Sequence, residues 1–118
     1  MRSVWGIHMP KTVGDAPVRD GYACIGWPTM GDIFAIPNDR DAYKTKLREA
    51  YPDKKLGAIP VEAGTVFRFA QEVAVGDVMV FPSKHDRLVN IGEVTGKSWH
   101  DPGNEHVGED YPNFLGVD

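Results

Sequence analysis

The chain has 118 residues and a mass of 13.0 kDa, with 42% hydrophobic and 25% charged residues. That is the size and balance of one globular domain, 1–118, with a core of its own. No apolar run nears the ~18 residues of a membrane helix, the first residues lack the apolar stretch of a signal peptide, and a single cysteine, Cys24, excludes a disulfide framework and a cysteine-rich zinc site. A cytoplasmic domain with no membrane partner is expected. The net charge of −4 is unevenly divided: residues 1–60 carry 9 Lys/Arg against 7 Asp/Glu, and residues 61–118 carry 4 against 10. Non-specific duplex binders need a dense basic face, so any nucleic-acid binding here must lean on a pocket.

In chain order, Ser3 to Met9 forms a first strand that Pro10 ends, since proline removes a ladder donor. Residues 10–20 hold Gly14, Asp15 and Pro17 and predict a loop. Tyr22 to Trp27 is a second short strand, stopped by Pro28, and residues 28–37 are irregular. Asn38 or Asp39 can cap a helix whose apolar stripe is Tyr43, Leu47, Ala50 and Tyr51, with Pro52 as its stop. A loop through Pro60 follows. Val66, Phe69, Ala70 and Val73 then mark a second helix over about 61–73, with Phe67 and Arg68 off its stripe. Gly76-Asp77 turns into Val78 to Phe81, a strand apolar on both faces; Pro82 to Arg87 is a polar loop; Leu88 to Thr95 is the returning strand, closed by Gly96. The tail is loop-rich, with a last strand near Phe114 to Val117. Strands at both ends and two helices between them predict an α+β domain, a curved or barrel-like antiparallel sheet flanked by helices.

Recognised catalytic motifs are absent: no phosphate-binding loop, dinucleotide fingerprint, zinc-protease pair or nucleophile elbow. Cys24 lies in an apolar strand and is expected to be a buried, inert thiol. The His100, Asp101, Glu105 and His106 cluster matches no ligand spacing and predicts a solvated loop rather than a metal site. No cofactor is called for, and the chain is not expected to be an enzyme. The aromatics are more informative. Trp5, Trp27 and Trp99 lie on or beside strands, next to glycine, proline or polar neighbours; each is either core or the wall of a pocket in which a flat base stacks. Pro82 to Arg87 offers a second candidate: Ser83 for a base edge and Lys84 and Arg87 for phosphate, against the alternative of a solvated hairpin loop.

Several motifs in order resemble the EVE and EVE-like domains of the PUA superfamily, which also holds YTH and SRA domains. They are Val4-Trp5-Gly6-Ile7, Gly76-Asp77-Val78-Met79-Val80-Phe81 with Ser83 following, and Ile91-Gly92-Glu93-Val94. Ile25-Gly26-Trp27, Gly31-Asp32, Tyr51-Pro52, Ala63-Gly64, Phe67-Arg68-Phe69 and Pro82-Ser83-Lys84 extend the resemblance toward the N-terminal recognition domain of Mrr-like modification-dependent restriction endonucleases. The resemblance implies a PUA-like pseudo-barrel whose aromatic pocket accepts a flipped, modified base of DNA: methylated or hydroxymethylated cytosine, or methyladenine. Trp27 is then the leading pocket aromatic, with Trp5, His8, Phe67 and Ser83 as neighbours, and Arg68 and Lys84 meet the backbone. It also implies a nuclease partner, fused downstream or on a separate chain. A reader of modified RNA, or of a free nucleotide-derived ligand, is the alternative.

Overall fold

The computed structural model describes residues 2–83, 86–105 and 107–118. The elements are β1 (Val4–Gly6), α1 (Ala16–Asp20), β2 (Tyr22–Ile25), α2 (Arg40–Ala50), α3 (Ala58–Phe67), β3 (Val78–Pro82), β4 (Val89–His100) and β5 (Asn113–Val117), joined by short 3₁₀ turns. The five strands form one open sheet in the order β1-β3-β4-β5-β2. Among the described residues only β1 and β3 run parallel; every other pair is antiparallel. A parallel pair needs a crossover, and here it contains β2 and the helices. The fold is α+β, as the element order predicts.

Both predicted helices form: α2 for the predicted reasons, and α3 with shifted bounds, since only Val66 of its predicted stripe lies within it. Asp39 caps α2 by accepting from the Asp41 amide at 3.0 Å, and Tyr43 and Leu47 are fully buried. The Tyr43 hydroxyl donates to the Ile33 carbonyl at 2.7 Å and accepts from Gln71 at 2.9 Å. α3 begins at Ala58, earlier than its stripe suggests, because Pro60 lies in the first turn, where amide hydrogens have no intrahelical partner. After Phe67 the helix widens into a π turn over Arg68–Glu72. α3 is packed on more than its Val66–Phe69 stripe: Phe67 is only 8% exposed, edge-on to Tyr43 at 5.3 Å. The expected loop at 10–20 contains the short helix α1, with Pro17 in its first turn and Gly21 in the left-handed region after it.

The main departure is β4. Gly96 does not close the strand, which runs on to His100. Val89 to Glu93 pair with β3, whereas Val94 and Ser98 to His100 pair with β5. Between Val94 and Ser98 the strand takes four steps while β5, from Val117 to Leu115, takes two. This bulge holds Gly96 at φ +93° and bends the sheet where it changes partner. Close approach of β5 also requires Gly92: a Cβ there would run into the Val117 side chain and lie 3.0 Å from the Asp118 carbonyl.

Asp77 fixes the start of β1. Its carboxylate is buried and accepts from the Ser3 amide (3.1 Å), the Trp5 indole (2.9 Å) and the Ala74 amide (2.9 Å). The Trp5 bond, with the two backbone amides, holds its pKa below the ordinary value.

Gly92→Ala is expected to lower stability by about 1–3 kcal/mol through overpacking, and Gly96→Ala by about 1 kcal/mol or more through its positive φ. Both should appear as a Tm loss of several degrees. The folded pKa of Asp77 lies below the unfolded one, so its stabilisation is complete above the unfolded value and is lost as pH falls through the folded value. In thermal unfolding from about pH 7 to about pH 3, Asp77→Asn is expected to lower Tm at the upper end and flatten the acid fall, because even with its oxygen toward Trp5 and Ala74 its NH2 sets a donor against the Ser3 amide.

Candidate functional site

β2 leaves the sheet at Ile25, and the next two residues build one wall of a cleft. Trp27 adopts a left-handed backbone, φ +57° and ψ +52°, a conformation that costs energy for a bulky residue and tends to mark functional sites. Asn113, fully buried, donates to the Gly26 carbonyl at 2.9 Å, and its own oxygen lies 2.9 Å from His100 Nδ1. On the other side the Trp27 indole donates to Glu62 of α3 at 2.9 Å, and Glu62 is paired with Lys54 at 3.0 Å. The half-buried ring is thus held by its own N–H and by the turn beneath it. A Cβ at Gly26 would meet the Asp110 carbonyl at 3.2 Å and the Tyr111 ring at 3.8 Å, so the chain before β5 packs directly on this turn.

The cleft has a volume of about 660 Å³. Gly6, Ile7 and His8, following β1, line one side, and Ile25, Gly26 and Trp27, following β2, line the other. Thr65, Asp110 and Tyr111 complete it. It adjoins a recess of about 250 Å³ that shares Gly6, Ile7, Ile25 and Thr65 and is lined also by Trp5, Arg68 and Met79. β1 and β2 are at opposite ends of the strand order, yet both line one cleft. The sheet therefore curves far enough to bring its edges face to face. A slightly larger depression, about 700 Å³, lies between α2 and the turns before it. It lacks an aromatic wall, and two of its carboxylates, Asp32 and Asp39, are occupied in capping helical turns.

The structure brings four of the expected site residues to this region. Trp27 and His8 line the cleft, and Trp5 and Arg68 line the adjoining recess. The indole N–H of Trp5 is used by Asp77, so Trp5 also serves the fold. Phe67 is not brought there. It packs between α2 and α3 with the Arg40 guanidinium 4.9 Å above its ring. Ser83 is not there either: it closes the β3–β4 hairpin, its amide donating to Leu88 (2.8 Å), its carbonyl accepting from Arg87 (2.9 Å) and its hydroxyl bonded to Asn90. The space beside Ser83, about 10 Å³, is no larger than a single water needs and is too small for a base. Arg87 is exposed in that hairpin loop at φ +62° and is not among the residues lining the cleft. Lys84, with His85 and His106, lies outside the described residues. Cys24 is fully buried, and burial pushes its thiol pKa up to about 12, which leaves it inert. Trp99 stacks on Phe114, planes 4° apart, on the sheet itself.

Glu62, Asn113, Asp110 and Tyr111 have no local signal in the sequence. Asn113 reaches Gly26 across 87 positions, a pairing that only β2–β5 register creates. Asn113→Ala is expected to lower stability by about 1–3 kcal/mol by stripping the Gly26 carbonyl and His100 of a buried partner, read as a Tm loss of several degrees with the near-ultraviolet signal of Trp27 altered.

The family model described as Domain of unknown function (DUF8426) matches residues 5–118, and the chain belongs to that family. Comparison with curated proteins gave no match. Comparison with solved structures also gave none.

Proposed function

We propose that the chain is a binding module that accepts a modified nucleobase of DNA, flipped out of the duplex, in the cleft between the ends of β1 and β2. The observation that carries this reading is Trp27: a half-buried aromatic wall, with its ring fixed by Glu62 and its backbone held in a strained conformation. A flipped base is bound by stacking on such a face and by hydrogen bonds to its edge. Ile7 and Ile25 supply apolar walls, and His8, Thr65 and Asp110 supply polar groups around them. The cleft volume is that of a small-ligand site. The converging edge strands support a PUA-like pseudo-barrel as the finer description of the fold. Arg68 beside the recess and Arg87 on the exposed hairpin are the cations offered to the nucleic-acid backbone. The module performs no covalent step; a nuclease, fused downstream or on a separate chain, is the partner the reading implies.

One observation favours a second reading. Asp110 sets a negative charge in the cleft of a chain that is already acidic, which suits a ligand with little phosphate. A free nucleoside-type ligand uses the same stacking wall, as does a modified base in RNA.

The test is a titration of labelled duplexes carrying methylcytosine, hydroxymethylcytosine, methyladenine or no modification, at several salt concentrations. One modified duplex is expected to bind at least about tenfold tighter than the unmodified one, a difference of about 1.4 kcal/mol. Trp27→Ala is expected to weaken that binding roughly 5- to 150-fold, the worth of one base–aromatic stack. Equal affinity for all duplexes overturns the DNA reading; a thermal shift with nucleosides or modified RNA alone selects the second.

A further inference from the structure

Two arginines from different elements converge on one glycine of α3. Gly64 is buried within the helix, and its φ is not in the left-handed region, so what it supplies there is space. A glycine inside a helix costs stability relative to alanine. A Cβ at Gly64 would meet guanidinium nitrogens first, Arg68 Nη1 at 3.2 Å and Arg40 Nη1 at 3.7 Å. Arg40 opens α2, where the helix dipole favours an acidic residue over a basic one. Its guanidinium is held in place: it sits 4.9 Å over the Phe67 ring and donates through Nη2 to Glu72 at 3.1 Å, which leaves Nη1 over Gly64. Arg68 is half-buried and, among the described residues, forms no ion pair. Two cations are thus gathered against one carboxylate, in a half-exposed pair that adds little to stability.

We infer that Arg40 and Arg68 form a phosphate clamp over Gly64. A guanidinium presents a planar fork that matches the oxygens of a phosphate, and two forks converging on one bare stretch of helix hold it from two sides. Arg68 follows α3 at the start of the π turn, an irregularity frequent at functional sites. It also lines the recess that adjoins the cleft, so the phosphate is a phosphodiester of the strand whose base enters the cleft; this assignment of the source rests on the function proposed above. Glu72 is the competitor that the phosphate displaces from Arg40.

The test measures affinity for modified and unmodified duplexes against salt, and the thermal shift with inorganic phosphate against chloride at matched ionic strength. Arg40→Gln and Arg68→Gln are each expected to weaken both duplexes about tenfold and to lower the slope of log K against log[salt] by about 0.9, with the ratio between the duplexes unchanged. Arg48→Gln, the same loss of charge at an exposed position near the end of α2, is expected to leave the slope as it is. Glu72→Gln is expected to tighten binding about two- to fivefold by removing the competitor. Gly64→Ala is expected to weaken binding without lowering Tm, since its Cβ displaces the guanidinium groups while alanine favours the helix. A ratio of one between the duplexes with the slope still lowered sinks the modified-base reading and supports the clamp. A phosphate-induced rise in Tm that both arginine variants lose, without duplex binding, supports the clamp with free phosphate as its source. Duplex affinity and phosphate shift unchanged by Arg68→Gln and Gly64→Ala, in folded variants, overturn it.

Discussion

The double pairing of β4 is the constraint on which the rest depends. One twelve-residue strand gives its first half to β3 and its second half to β5, and the bulge at Gly96 lets it turn between them. A sheet bent in this way brings its two edges toward each other instead of leaving them apart. The cleft is the gap that remains between β1 and β2. An exposed edge strand is ordinarily a hazard for unintended pairing; here each edge opens onto a cleft walled also by α3 and the segment before β5.

Each wall of the cleft is pinned by one buried polar side chain. Asp77 holds β1 through Ser3 and Trp5, and Asn113 holds the turn after β2 through the Gly26 carbonyl. Both pins satisfy their hydrogen bonds within the protein, and a polar group is tolerated inside a core only on that condition. The strain at Trp27 persists because the surroundings over-determine it: Glu62 holds the ring, Asn113 the residue before it, and Met30 accepts the turn by donating to the Trp27 carbonyl at 3.1 Å.

Much of this was legible in the chain order of residues. The Tyr43–Leu47 stripe, the Asp39 cap and the Gly76-Asp77 turn into an apolar strand each rest on interactions a few residues apart, and each forms where those interactions predict. What misled was context. Gly96 is a strand-breaking signal in isolation, but as the bulge of a strand with two partners it extends the strand. Phe67 falls off its helix stripe by periodicity, yet α3 is packed against α2 as well as the sheet, so a second face is buried. Ser83 was legible as a hydroxyl after an apolar strand, and its partner Asn90, across the hairpin, turned it toward the loop and not the cleft.

By itself the sequence determined the class of fold, the order of its strands and two longer helices and the aromatic at the end of β2, because helix caps, stripes, turns and alternation are short-range effects. The tertiary structure alone decided which aromatics share a cleft, which polar residues pin its walls and which face of β3 is left in water. Those outcomes depend on register between strands far apart in the chain, and on the bulged β4, which changes partner from β3 to β5 and leaves the ends of β1 and β2 lining one cleft.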